Sequence, residues 1–123
     1  FYIHRPDDEP LVFAGLWEHW TPKTEEGGDD PDQPSLTTCT ILTTTANATV
    51  EPVHDRMPVF IPPNRWDDWL DPESDPEELR QLLVPAPESL LVLRPVTTMV
   101  NSVRNKGAEL IVEATPEQMI GAV

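Results

Sequence analysis

The amino-acid sequence predicts an α+β fold: a mainly antiparallel, barrel-like β-sheet with short peripheral helices. Three observations carry that expectation. The run 36–45 (LTTCTILTTT) is dense in the threonine, isoleucine and leucine that suit a pleated strand. Fifteen prolines and five glycines cut the 123 residues into short pieces. Strand-like and helix-like pieces then mix without the regular strand–helix–strand rhythm of a parallel sheet. Hydrophobic residues make up 38% of the chain, enough for one modest core, so a single domain is expected.

Taken in order, residues 1–4 read as a strand that ends at Arg5-Pro6. Asp7, Asp8, Glu9 and Pro10 form a turn, and residues 11–17 return as the second strand of a hairpin. Residues 21–34 (TPKTEEGGDDPDQP) are an acidic, Gly/Pro-rich loop expected to be mobile. The strand 36–45 follows, then a short helix over 46–55, then a buried strand at 59–61 stopped by Pro62-Pro63. Asn64 is placed to cap a helix through Leu70, with Trp66, Trp69 and Leu70 on one face. Pro76 opens a second helix whose apolar stripe is Leu79, Leu82 and Leu83. Residues 90–93 read as a strand and 97–103 as mixed. Thr115-Pro116-Glu117 opens a terminal helix.

The formal net charge is −14, and it is unevenly spread. Residues 21–33 carry five acids against one lysine, and residues 67–79 carry seven acids and no base. Residues 34–66 and 80–123 are each neutral, so the acidity belongs mostly to surface segments. No basic patch of the kind that usually binds nucleic acid is visible. No stretch approaches the ~20 apolar residues of a membrane span, and no signal peptide opens the chain. The chain lacks an initiator methionine and begins in a strand, which reads as an internal or C-terminal piece of a longer protein. A single cysteine excludes an intrachain disulfide and fits a reducing cytoplasm.

Several chemistries are excluded by pattern. There is no Gly-rich phosphate loop, no Gly-x-Ser-x-Gly elbow and no cysteine pair for zinc. His4, His19 and His54 lack the spacing of a helical metal site, so no metal and no cofactor is expected. Asn47-Ala48-Thr49 matches the glycosylation pattern, a match read as chance in the absence of a secretory signal. Trp66 and Trp69 fit a helix packing face better than a base-stacking platform. Cys39, mid-strand beside Ile41, reads as a buried, inert thiol.

Two segments concentrate the chemistry that is left. Residues 53–59 (VHDRMPV) set an imidazole, a carboxylate and a guanidinium at consecutive positions between apolar runs. Residues 13–20 (FAGLWEHW) hold Glu18 inside an apolar and aromatic run. A lone acid and a lone base in hydrophobic surroundings are the pattern of a buried reactive site. His-Asp-Arg is also a common way to end a helix with its charges satisfied locally. From the residues alone both readings stand.

FAGLWEHW, SLTTCTILTTTANATVEPVHDRMPVFIPPNRWDDWLDP and PVTTMVNSVRNKGAELI, in this order, closely resemble the SOS-response-associated peptidase (SRAP) family of abasic-site processing proteins. The joint match of H-D-R-M-P and of the G-x-W-E pattern is specific. The resemblance implies action on single-stranded DNA that contains an abasic site. An N-terminal cysteine, exposed by self-removal of the initiator methionine, attacks the sugar aldehyde through its amine. Its thiol then closes a thiazolidine, leaving a DNA–protein crosslink. On this likeness the protein would serve the SOS response in the cytoplasm, at the nucleoid when acting.

The same resemblance assigns roles by position. Glu18 corresponds to the family's glutamate near the reactive amine and becomes the candidate general acid/base. If it is buried between Leu16 and Trp17, desolvation would raise its pKa. His54 corresponds to the family's histidine, with proton transfer at the sugar as its role. Asp55 would orient or charge-stabilise this neighbourhood. Arg56 is either a phosphate contact or part of an internal ion pair. Thr43 resembles a residue of the DNA groove. Trp17, Met57 and Pro58 are either an apolar wall for an unstacked base or core packing. The departures are equally specific. Residue 1 is Phe1, Cys39 does not take the nucleophile's place, and Asn47 and Asn101 do not match the family's asparagine motif. The chain therefore resembles the C-terminal portion of one SRAP domain whose N-terminal portion is absent. Alone it is expected to be inactive and to leave open sheet edges. A non-catalytic binding or scaffold fragment is the alternative.

Overall fold

A computed structural model describes residues 1–120 and divides the chain into two compact units. One unit consists of Phe1–Leu11, Ala46–Asp55 and the chain from Ala86 onward; the other consists of Val12–Thr45 and Arg56–Pro85. The strands pair as three separate antiparallel ribbons. These are β1 (Tyr2–His4) with β6 (Val92–Arg94), β2 (Gly15–Trp20) with β3 (Leu36–Ile41), and β4 (Thr43–Thr45) with β5 (Arg56–Pro58). The mixed class and antiparallel pairing agree with expectation. No closed barrel forms among the described residues.

In the first unit, β1 does not make the expected hairpin with residues 11–17. It pairs with β6, Tyr2 opposite Arg94 and His4 opposite Val92. The turn after β1 is built locally. The Asp8 amide donates to the Arg5 carbonyl at 3.0 Å, Arg5 binds Asp7, and Asp8 adopts a φ of 56°, which aspartate tolerates. Such a turn reverses the chain without choosing the partner strand. His4 is buried there, its Nδ1 held between Asp8 Oδ1 at 2.8 Å and the Arg5 carbonyl at 2.9 Å. Both neighbours are acceptors, so the ring proton belongs on Nδ1. Tyr2 stacks on His4 with ring centroids 4.9 Å apart.

Residues 46–55 are successive turns, not the expected helix. The Val50 amide is shared between the Asn47 carbonyl and Asn47 Oδ1, each at 3.1 Å, a side-chain bond that competes with regular helical pairing. Pro52 removes an amide and disfavours helical geometry at Glu51. Farther on, α3 (Pro116–Ile120) begins as expected, and Gln118 Oε1 accepts the Thr115 amide at 2.8 Å in the manner of a capping box.

The second unit is centred on buried Ala14, Val59 and Ile61, against which Leu42, Trp66, Trp69 and Leu82 pack. Its backbone closes a triangle: Ala14 N–H to Val59 O, Val59 N–H to Leu42 O and Leu42 N–H to Ala14 O. Leu42 is thus where the predicted strand 36–45 splits, since β3 pairs with β2 while β4 pairs with β5. The expected strand at 59–61 adds a Phe13–Phe60 bridge and an Ile61 amide bond to the Val12 carbonyl just beyond β5.

Helix α1 spans Trp66–Leu70 and follows a 3-10 turn at Pro63–Arg65, so Asn64 lies inside that turn and does not cap. Trp66 and Trp69 pack on the core as expected, but Leu70 is exposed. Helix α2 (Pro76–Arg80) starts with Asp75 accepting the Glu77 amide at 2.9 Å and Pro76 in its first turn. The acidic loop 21–34 contains a tight turn in which Gly27, at φ 87°, donates its amide to Thr24 O. Lys23 pairs with Asp29 across that turn.

Candidate functional site

His54 lies in the first unit, at the end of the turns over Ala46–Asp55. Its backbone amide donates to the Val50 carbonyl at 3.0 Å. The imidazole Nδ1 stands 3.1 Å from Asp55 Oδ1, and the His54 side chain is 67% exposed. A carboxylate at Nδ1 favours the proton on that nitrogen. The cluster ends no helix, so the local-capping reading of His-Asp-Arg does not hold. In this chain the imidazole faces solvent.

Arg56, Thr43, Met57 and Pro58 come together in the β4–β5 ribbon of the second unit. Arg56 Nη2 donates to the Thr43 carbonyl at 2.9 Å and to Thr43 Oγ1 at 2.7 Å. Thr43 sits diagonally from Arg56 across the ribbon, within reach of a long side chain. Thr43, expected in the DNA groove, and Arg56, expected at a phosphate or in an internal ion pair, therefore form one exposed hydroxyl–guanidinium group. On β5 the side chains alternate. Arg56 is exposed and Pro58 half-buried, while Met57 between them is 1% exposed. Burial puts Met57 on the packing side of its two readings.

Trp17 and Glu18 lie on β2, whose ribbon with β3 is exposed along its whole length. Trp17 is 69% exposed, faces Cys39 in register, and meets the His19 ring edge-on at 5.1 Å between centroids. Glu18 points to the other face, opposite Thr38. The condition attached to Glu18 is not met in this chain, where the residue is exposed. Cys39 is likewise exposed and not buried as expected, as is every residue of β2 and β3. Beside Trp17 is an apolar cavity of about 400 Å³ lined by Val12, Leu16, Cys39, Trp66 and Trp69.

The family model described as SOS response associated peptidase (SRAP) matches residues 1–103. The chain belongs to the SRAP family. Among its relatives, the abasic site processing protein YoqW of Bacillus subtilis (strain 168) is 40% identical over 102 residues, covering 82% of this chain and 42% of that protein. The abasic site processing protein HMCES of Gallus gallus is 36% identical over 104 residues, 83% of this chain and 28% of its own length. The abasic site processing protein YedK of Escherichia coli (strain K12) is 29% identical over 113 residues, 90% of this chain and 47% of that protein. The chain thus spans less than half the length of these relatives. A crystal structure of a Bacteroides thetaiotaomicron protein superposes with a TM-score of 0.75 at 20% identity, over 93% of this chain and 47% of the other. That likeness establishes the fold.

All seven candidate residues of this SRAP chain fall inside the matched range, whereas α3 lies beyond it. His54 and Glu18 belong to different compact units. Among the described residues no group of His, Cys, Asp and Glu could hold a metal ion, and no helix is long and apolar enough to cross a membrane. One organising residue escaped the sequence reading. Asn47 is 9% exposed and its Nδ2 donates to the Ala86 carbonyl at 2.9 Å. The nitrogen a glycan would need is buried and engaged. A polar residue between Ala46 and Ala48, ahead of a histidine-bearing turn, was the available signal.

Proposed function

We propose that this chain is the C-terminal portion of an SRAP domain that processes abasic sites in single-stranded DNA, with His54 as a proton-transfer group. The observation that carries the reading is the solvent-facing His54 imidazole with Asp55 on its Nδ1, inside the H-D-R-M-P segment of a chain that belongs to the family. The relatives' names, abasic site processing proteins, support the substrate class.

In the proposed reaction the nucleophile is an N-terminal cysteine of the complete polypeptide, freed by removal of its initiator methionine. The closed sugar must open before an aldehyde exists, and opening requires a proton at the ring oxygen. His54 supplies and recovers that proton. The neutral amine adds to the aldehyde, the carbinolamine loses water, and the thiol adds to the resulting imine to close the thiazolidine. Arg56 and Thr43 offer a phosphate a guanidinium and a hydroxyl on one exposed ribbon face. Trp17 offers an unstacked base an exposed aromatic face, and Pro58 adds an apolar edge. Met57 supports Arg56 and Pro58 from beneath. Glu18 enters as an exposed carboxylate.

The test incubates the complete polypeptide with single-stranded DNA bearing one abasic site and follows the heat-resistant crosslink. His54→Ala should slow its formation by roughly 10²- to 10⁴-fold, the usual range of general acid–base catalysis. An unchanged rate would refute the role. Glu18→Gln is read separately: a loss comparable to that of His54→Ala puts the carboxylate in the chemistry, and an unchanged rate removes it. The second reading, a non-catalytic binding or scaffold segment, is favoured by the net charge of −14. It predicts that the complete polypeptide forms no crosslink at all.

A further inference from the structure

We infer that Asn47 is a positioning residue for His54, acting through the turns over Ala46–Asp55; the inference rests on the proposed role of His54. The His54 side chain is two-thirds exposed, so its placement depends chiefly on its backbone. That backbone is fixed by a short relay. Val50 O accepts the amides of both Val53, at 2.8 Å, and His54, at 3.0 Å. The Val50 amide is in turn held by Asn47 Oδ1 and by the Asn47 backbone carbonyl, each at 3.1 Å, and that carbonyl also accepts the Glu51 amide at 2.9 Å. Asn47 Nδ2 then ties the whole relay to the Ala86 carbonyl, a residue distant in sequence within the same unit. The mouth of the loop is closed by the Ala46 amide on the Asp55 carbonyl at 3.0 Å. A second, weaker anchor is Thr49 Oγ1 on the Glu88 carbonyl at 3.3 Å.

Asparagine suits this position for a chemical reason. One short side chain must donate to Ala86 O and accept from Val50 N–H at once, and both atoms are buried. Aspartate keeps the acceptor but turns a second oxygen toward a carbonyl. Alanine loses both side-chain bonds: the Ala86 carbonyl loses this donor, and the Val50 amide keeps only the Asn47 backbone carbonyl. Two hydrogen bonds link the Asn47 side chain to the His54 backbone, so a fault at Asn47 reaches the imidazole as a displacement. A misplacement of about 1 Å at a reacting group costs up to 10²-fold in rate.

The experiment measures crosslink formation by the complete polypeptide for Asn47→Ala, Asn47→Asp, His54→Ala and the double variant Asn47→Ala/His54→Ala. Asn47→Ala and Asn47→Asp should each slow the reaction roughly ten- to a hundredfold. In the His54→Ala background Asn47→Ala should add no further slowing, because its route to the chemistry is already gone. A merely structural role would slow the double variant further, and that result overturns the inference, as does a wild-type rate for Asn47→Ala. Amide hydrogen exchange separates the two layers. If His54→Ala proves harmless, the role of His54 falls. Faster exchange at Val50 and His54 in Asn47→Ala then still upholds the coupling, and unchanged exchange refutes it. Should Asn47→Ala fail to fold by near-ultraviolet circular dichroism, Thr49→Val removes the weaker anchor alone. It should slow the wild-type background a few-fold and the His54→Ala background not at all; slowing in both would refute the relay.

Discussion

Met57 offers the sharpest test of how the H-D-R-M-P segment is built. It sits between exposed Arg56 and half-buried Pro58, opposite Thr44, and keeps only 1% of its surface. Replacing it with alanine deletes a fully buried side chain from the second unit. Core methionine-to-alanine changes cost about 2–5 kcal/mol, the upper end applying where neighbours cannot collapse into the space. In a protein of about 150–250 residues each kcal/mol lowers the melting midpoint by roughly 2–4 °C, so a fall of roughly 4–20 °C is expected. Met57→Leu conserves volume and should cost less than about 1.5 kcal/mol. The assay is thermal unfolding of the complete polypeptide by circular dichroism, with urea unfolding as a second measure. A Met57→Ala variant that melts within about 1 °C of wild type would refute the burial argument. The leucine variant decides the other reading: if it keeps the melting midpoint yet loses crosslinking, Met57 serves DNA and not packing alone.

Three further outcomes follow from the geometry. Cys39 is exposed on β3, so iodoacetamide should alkylate it in the folded chain without denaturant; protection until unfolding would show that a further layer covers this ribbon. Replacing residues 24–33 by a short glycine linker should leave crosslinking within a few-fold of wild type, because the Lys23–Asp29 turn is self-contained; a large loss would make that loop functional. The Asp7 carboxyl is held below its ordinary value of 3.8 by the Arg5 side-chain hydrogen bond and, less strongly, by the Glu9 amide. Its stabilising share is therefore present above the unfolded pKa and lost as pH falls through the lower folded one. Arg5→Ala should move the Asp7 titration, followed by carboxyl NMR, back up toward 3.8.

Much of the fold was legible where local chemistry decides. Asp75-Pro76 carries its own cap and first turn, and Thr115-x-x-Gln118 carries half of a capping box, so both helix starts were readable. The tryptophans of α1 were readable as a packing face because helical spacing repeats on one side. Pairing was not readable. The Asp-rich turn after β1 predicts a reversal, but β1 goes to β6, a choice made by non-local contacts. The split at Leu42 was equally hidden, since no residue type marks a strand that changes partners. Residues 46–55 misread as a helix because propensity ignores what a buried asparagine and Pro52 do to the turns around them.

The candidate site shows why burial is harder to read than identity. Glu18 and His54 both have apolar neighbours in sequence, and both are exposed in this chain. On a strand, sequence neighbours point to opposite faces, so Leu16 and Trp17 cannot enclose Glu18 unless another layer covers its face. In this two-stranded ribbon every residue of β2 and β3 is exposed. Hydrophobic flanks thus predict desolvation only where a second element supplies the other wall. What distinguishes His54 is polar: Asp55 at its ring and the Asn47–Val50 relay beneath its backbone. Hydrogen bonds of this kind leave no hydropathy pattern, because they join single residues and backbone atoms rather than faces. Glu18 has an exposed strand around it, and His54 has a built support. That difference, more than apolar context, separates the two as candidates for chemistry and makes the asparagine the residue to mutate beside the histidine.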